Sequence, residues 1–283
     1  MLTHLKVNNL KAVPYLETST LAKAYPQGIN FSTTKPNVVV GPNGSGKSAL
    51  LTALALYTLS YFTGASAFND EYIDSTESNA FWQEISKWRN EYEYLPGLTI
   101  TGDMPPTLYY RPSHIPGNEC SITHAFMTGY STQAREYDKL TRSKSSGQQG
   151  KALLQRIWTM VQSEQPTLGF EFINWRGTRH LQEVPEYGSR DSRFVKNELL
   201  KQKYLAVPAM AAPLILLDEP EQSLDAKEEA IIWSKLVATD CTKVQVIVAT
   251  HSWYPLLHPE KFHIIEAVPG YLAEIQALIC MRP

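Results

Sequence analysis

The sequence predicts an α/β domain with a central, mostly parallel sheet flanked by helices and an antiparallel β part at its ends. Three observations predict it. Asn37–Val40, Leu214–Leu217 and Val244–Ala249 are short, mainly aliphatic runs without polar alternation, as expected of strands covered on both faces. Lys47–Phe62, Gly150–Val161 and Ala226–Ala238 carry apolar residues at helical spacing. The two ends of the chain instead carry partly alternating segments, which suit antiparallel strands.

Taken in order, Leu2, Leu5, Val7 and Leu10 alternate in part and predict an edge strand. A second strand is expected around Gly28–Ser32, followed by the buried run Asn37–Val40 and the helix Lys47–Phe62. Phe81, Trp82, Ile85 and Trp88 have the spacing of an amphipathic helix within an acidic, aromatic stretch. Leu98–Thr101 and Leu108–Arg111 predict further strands, and the tail predicts two more, Phe262–Ala267 and Tyr271–Gln276, around the turn at Pro269 and Gly270. No internal repeat, heptad run or low-complexity linker is present.

The 283 residues, 43% hydrophobic and 19% charged, can bury a sizeable core as one domain with insertions. A net charge of −2 makes any nucleic-acid site a local matter. Cys120, Cys241 and Cys280 lack metal-ligand spacing, and their odd number suits a reducing compartment. The first residues carry no signal-peptide pattern, and no apolar stretch is long enough to span a bilayer. These features lead to the expectation of a cytoplasmic protein without membrane insertion.

Gly41, Pro42, Asn43, Gly44, Ser45, Gly46, Lys47 and Ser48 fit the pattern G-x-x-x-x-G-K-[ST] between a predicted strand and a predicted helix. The chemistry needs these types. Glycines let successive N–H groups curl around an anion, and the helix presents its positive end to it. Lys47 adds a full charge at the β- and γ-phosphates, and the Ser48 hydroxyl is a Mg²⁺ ligand. The expected ligands are therefore ATP and Mg²⁺. The aliphatic run Leu214–Leu217 then delivers Asp218 and Glu219 to the carboxyl end of the sheet, where open α/β folds bind ligands. Two carboxylates there are costly without a cation or phosphate chemistry to use them. Asp218 is placed to hold Mg²⁺ and Glu219 to polarise an attacking water.

GPNGSGKS, LILLDEPEQSLD (Leu214–Asp225) and VIVATHSW (Val246–Trp253), in this order, resemble the ABC ATPase superfamily of P-loop NTPases. The DEPE and ATHS wording and the opening LTHLKVNNLKA resemble its SMC, RecF, RecN and OLD branch more than transporter subunits. The resemblance covers the two ends of the core, with a less clear middle. It implies that Asp225 sits in a D-loop at a dimer interface and that His251 is the switch histidine at the γ-phosphate. It also implies a signature loop whose N–H groups meet the γ-phosphate held by a second copy. Lys144-Ser145-Ser146-Gly147-Gln148 before the Gly150–Val161 helix resembles that loop, with Ser146 in place of its first glycine. Neither copy then has a complete site, and ATP joins a homodimer that hydrolysis releases.

Residues 1–283 thus form one ATPase domain, with 63–165 an inserted helical subdomain carrying the signature and 166–205 a variable insertion. Several assignments stay open. Gln83, Ser113 and His114 compete for the Q-loop role, and Tyr25 is either an adenine-stacking aromatic or a core tyrosine. The insertion carries Trp175, Arg176, Arg179, Arg190, Arg193, Lys196, Lys201 and Lys203 among interleaved acids. A solvated surface explains this mixture at least as well as contact with DNA or RNA. The cluster Arg135, Lys139, Arg142, Lys144 and Lys151 leaves the same two readings. No heptad pattern fits the long coiled coil of SMC proteins, and no nuclease domain of the OLD kind is expected after His251. The expected role is therefore a bare ATPase head controlling a separate effector protein, in DNA repair or anti-phage defence. The competing readings are a transporter nucleotide-binding subunit and an ATP-sensing module that hardly turns over.

Overall fold

The computed structural model describes residues 1–8, 14–57, 61–62, 98–102, 105, 107–112, 146–166, 212–222 and 224–280. Two sheets organise them. Strand β1 (Leu2–Val7) pairs antiparallel with β2 (Ile29–Asn30) on one side and with β5 (Leu98–Gly102) on the other. The second sheet has six strands in the order β4-β6-β7-β8-β3-β9: Tyr61–Phe62, Thr107–Tyr110, Leu214–Asp218, Gln245–Ala249, Asn37–Val40 and His263–Glu266. Every neighbouring pair in it runs parallel.

The expected parallel α/β core is present, and the strand composition explains it. In β3, β7 and β8 every residue is buried, so both faces are covered. Val39, Leu214, Leu216, Ile247 and Ala249 face one core, shared with α3 (Lys47–Tyr57) and β1. Their alternates Val38, Val40, Ile215, Leu217, Val246 and Val248 face a second core. That core is filled by Leu154, Ile157 and Trp158 of α4 (Ser146–Val161) and by Ile232, Trp233 and Leu236 of α5 (Ala226–Val237). Each fully buried aliphatic side chain contributes about 1.5–3 kcal/mol. Trp233 stacks on Tyr254, with ring centroids 5.7 Å apart, and so fixes α6 (Tyr254–Leu257) against α5.

The joint between the sheets is polar. Buried Gln245 accepts from Leu2 N at 2.8 Å and donates to Leu2 O at 2.7 Å, tying the start of β1 to β8. Buried Asn37 does the same for the turn before β3, accepting from Ser32 N at 2.7 Å and donating to Ser32 O at 2.9 Å. Gln245→Leu keeps the volume but strands two buried backbone groups of Leu2. It is expected to lower stability by about 2–4 kcal/mol, read as a lower urea midpoint at unchanged slope.

Four expectations are corrected. The first strand is the central strand of its sheet, not an edge, because β5 arrives from far along the chain to occupy its second side. The helix after the phosphate loop ends at Tyr57, and Tyr61–Phe62 pairs with β6 instead of continuing it. The helix expected from Gly150 already begins at Ser146. Tyr271–Gln276 is not a strand but part of α7 (Tyr271–Cys280). Its Leu, Ala, Glu and Gln are good helix formers, and Leu272 and Ile275, three apart, pack on the second core. The Glu266 carboxylate accepts from Leu272 N at 2.9 Å in its first turn. The 81–88 helix and the 166–205 insertion lie outside the described residues. So does most of 63–165, whose described parts are β5, β6 and α4.

Candidate functional site

Because the six strands are parallel, their carboxyl ends line one edge of the sheet. Gly41 follows β3, Arg111 follows β6, Glu219 follows β7 and Thr250–His251 follow β8. Residues from all four ends meet there around a cleft of about 240 Å³, where Tyr15, Gly44, Lys47, Ser48, Arg111, Glu219 and His251 lie on the wall. Open parallel sheets bind ligands at this kind of edge.

The loop 41–48 encloses its own lysine. Lys47 Nζ donates to Gly41 O at 2.9 Å and Pro42 O at 3.0 Å, while α3 starts at Lys47. The first N–H groups of that helix have no partners within it, so they suit an anion in the loop. Gly46 has φ +102°, and a Cβ there would lie 2.6 Å from Ser19 Cβ and Oγ. Ser19 caps α2 (Thr20–Ala24), accepting from Ala22 N at 3.2 Å, so the loop rests directly on that cap. A Cβ on Gly41 would meet Ala267 Cβ at 2.8 Å, which holds the loop against the end of β9. Ser45 Oγ is buried without a hydrogen-bond partner among the described residues. Burial lowers the pKa of Lys47, and the nearby charges of Glu219, Asp218 and Glu221 raise it.

Asp218 is the most strongly held carboxylate at the edge. Its Oδ1 accepts from Ser48 Oγ at 2.9 Å, and its Oδ2 accepts from Tyr109 Oη at 3.0 Å, with Arg111 Nε at 3.4 Å. Burial pushes its carboxyl above the ordinary range, and Arg111, Ser48 and Tyr109 pull it back down. Tyr109 is wholly buried, and its phenol is driven far upward, so it acts as a donor to Asp218. Ser48 lies on the wall of the cleft, and its Oγ with the buried Asp218 Oδ1 forms an oxygen pair of the kind that suits Mg²⁺. Mg²⁺ takes one or two protein oxygens and completes its octahedron with water and phosphate. Among the described residues no group of three or more His, Cys, Asp or Glu could hold a metal ion.

Glu219 and His251 stand together, with Glu219 Oε1 3.4 Å from His251 Nε2. Glu219 adopts φ +49°, the one positive φ outside glycine among the described residues, while its N–H donates to Ala249 O at 2.8 Å. This left-handed turn costs energy for a side chain with a Cβ. The turn ends β7 and leaves the carboxylate one third exposed at the cleft. Burial lowers the pKa of His251, the charge of Lys47 lowers it further, and Glu219 raises it. The net downward shift keeps the imidazole largely neutral at pH 7.

The structure brings Lys47, Ser48, Glu219 and His251 to one cleft, with Asp218 against Ser48, and places β8 beside β7. Asn43, Gly44, Ser45 and Gly46 line the same cleft, whereas Asp225, Gln148 and Tyr25 are not on its wall. Asp225 caps α5, accepting from Lys227 N at 2.9 Å and Glu228 N at 3.0 Å. Ser146, Gly147 and Gln148 form the first turn of α4 rather than a loop before it, and Ser145 lies outside the described residues. Gln83, Ser113 and His114 also lie outside them. Tyr25 is a packing residue: it lies against the first core, and its Oη accepts from Glu266 N at 3.1 Å. Of the basic cluster, Lys151 pairs with Glu228 across α4 and α5.

Three residues of the site escape sequence reasoning. Tyr15 in α1 (Pro14–Thr18) is 52% exposed and donates its hydroxyl to Gly44 O, covering the loop. Nothing local in PYLET announces this, because the contact depends on how α1 folds back over α3. Arg111 and Tyr109 reach Asp218 only because β6 pairs with β7. Their signal is the expected strand itself, whose last residues had to arrive at the same edge.

The chain matches no family model and no curated protein. Among solved structures it is similar to a nucleotide-free ATP-binding cassette from an ABC transporter, at 12% identity and TM-score 0.33, over 91% of this chain and 85% of that one. A dimeric bacterial ABC transporter cassette is similar at 14% identity and TM-score 0.28, over 85% of this chain and 84% of that one.

Proposed function

We propose that this chain is an ATPase that binds ATP with Mg²⁺ on the loop 41–48 and hydrolyses it at Glu219. One observation carries the reading. Ser48 Oγ and Asp218 Oδ1, from positions 170 residues apart, meet at 2.9 Å beside Lys47, with Glu219 and His251 paired at the same cleft. Lys47 Nζ is placed to leave its carbonyl partners for the β- and γ-phosphate oxygens and neutralise charge there. Ser48 and Asp218 would hold Mg²⁺, whose charge favours the departing diphosphate. The Glu219 carboxylate accepts a hydrogen bond from the attacking water and turns its oxygen toward the γ-phosphorus. His251, neutral and beside Glu219, has an Nε2–H to offer the same region.

The finer reading extends to a second copy. Gln148, in the first turn of α4, and Asp225, the cap of α5, are not on the wall of the cleft of their own chain. This supports a head-to-tail homodimer in which these residues meet ATP held by the other copy. A separate effector protein and a role in DNA repair or anti-phage defence rest on the sequence resemblance alone. Among the described residues no helix is long and apolar enough to cross a membrane.

Calorimetry with ATP and Mg²⁺, followed by size exclusion of the Glu219→Gln variant, tests both levels. The expected result is ATP binding that weakens at least about tenfold on adding EDTA, together with a dimer under saturating ATP·Mg²⁺. Absence of ATP binding refutes the ATPase reading; binding by a persistent monomer refutes only the dimer.

A further inference from the structure

Glu221 lies just beyond the Asp218–Glu219 pair but does not line the cleft. Its Oε1 instead accepts two hydrogen bonds from the neighbouring strand end, from Thr250 Oγ1 at 2.5 Å and from the backbone N–H of His251 at 3.0 Å. Thr250 Oγ1 in turn accepts from Ser252 N at 2.8 Å. Ser252 Oγ donates to Glu229 on α5 and accepts from Tyr254 N at 3.1 Å. Residues 250–252 are therefore gripped from the β7 loop on one side and from α5 on the other.

The grip is costly, which argues for a use. Glu221 Oε2 is buried without a hydrogen-bond partner among the described residues. Burial also pushes the Glu221 carboxyl above its ordinary range. A side chain kept for packing alone would not be acidic here. What the carboxylate supplies is one oxygen that takes both the Thr250 hydroxyl and the His251 amide. These two bonds fix the backbone from which the imidazole reaches Glu219.

We propose that Glu221 is a positioning residue: by holding the Thr250 hydroxyl and the His251 amide together it sets the His251 ring against Glu219 at the phosphate end of the cleft. The proposal rests on the hydrolytic reading of this site. Displacements of about 1 Å at a reacting centre cost about 10²-fold in rate. Glutamine presents an oxygen of the same reach and resembles the neutral acid, so it is the conservative replacement.

Steady-state ATP hydrolysis and amide hydrogen exchange at His251 test it in Glu221→Ala, Glu221→Gln and Thr250→Val. In Glu221→Ala, kcat is expected to fall about 10²-fold with KM within about threefold, and His251 amide exchange to speed up at least about tenfold. Glu221→Gln is expected to restore the slow exchange and most of the lost kcat. Thr250→Val removes one of the two bonds and is expected to lower kcat by a smaller factor at the same KM. A role in stability alone predicts that Gln fails to rescue kcat, or that KM and kcat worsen together, and either result overturns the proposal. If Glu221→Ala does not fold, wild-type kcat and wild-type His251 exchange in Thr250→Val overturn it instead. If the wild-type chain shows no hydrolysis, the functional reading falls by itself. The exchange rates in the same variants then decide whether Glu221 holds His251.

Discussion

Glu219→Gln is expected to reduce ATP hydrolysis about 10²- to 10³-fold while leaving ATP affinity within about threefold. The carboxylate sits one third exposed at the cleft, 3.4 Å from His251, and makes none of the bonds that hold the phosphate loop or Asp218. Its replacement by the amide keeps shape and the φ +49° backbone, so the fold is not strained further. What disappears is the negative acceptor that orients a water and takes up its developing positive charge. Phosphate release measures the loss, and calorimetry shows the retained affinity. A variant that hydrolyses ATP at the wild-type rate would point to an ATP-binding module with slow background turnover.

Asp218→Asn is expected to be at least as damaging, by a different route. The carboxylate joins Ser48, Tyr109 and Arg111, and on the proposed reading it would be the charged oxygen that holds Mg²⁺ beside the Ser48 hydroxyl. The amide offers a single acceptor, and its NH₂ repels both a cation and a neighbouring donor. Hydrolysis should fall at least about 10³-fold, and ATP affinity should become indifferent to Mg²⁺. Stability should also fall, by about 1–3 kcal/mol, because a buried hydroxyl donor loses its acceptor. Titrating ATP with and without Mg²⁺ against the variant, beside a urea unfolding curve, separates the two effects. Retained Mg²⁺ dependence would move the metal elsewhere in the cleft.

The two predictions depend on residues that were legible in the sequence for a physical reason. A phosphate loop and a strand followed by two carboxylates are local patterns: neighbouring residues must adopt one conformation to serve the chemistry. Lys47, Ser48, Asp218 and Glu219 could therefore be named before any fold was known. Their meeting could be anticipated only because parallel strands deliver their carboxyl ends to one edge. The buried runs of β3, β7 and β8 were equally plain, since covering both faces leaves no polar alternation.

What was not legible is what depends on distant pairing. The first strand read as an edge because its second partner, β5, is remote in the chain. Tyr15 and Arg111 became site residues through packing and strand order, and neither carries a pattern of its own. Glu221 stood in view beside Asp218, but its grip on Thr250 and His251 needs the β7–β8 register. The tail misled for another reason. Pro269 and Gly270 suggested a hairpin turn, yet helix formers with Leu272 and Ile275 three apart follow, and burial of that stripe decided for α7.

On the proposed function, triphosphate and Mg²⁺ meet the chain where Ser48 and Asp218 touch. A crystal structure of Glu219→Gln with ATP and Mg²⁺ measures it directly. The expected result is a triphosphate inside the loop 41–48 with Lys47 Nζ on its β- and γ-oxygens, and a metal about 2.1 Å from Ser48 Oγ with Asp218 beside it, directly or through water. A nucleotide bound away from the loop, or a metal with neither Ser48 nor Asp218 in its surroundings, would contradict it.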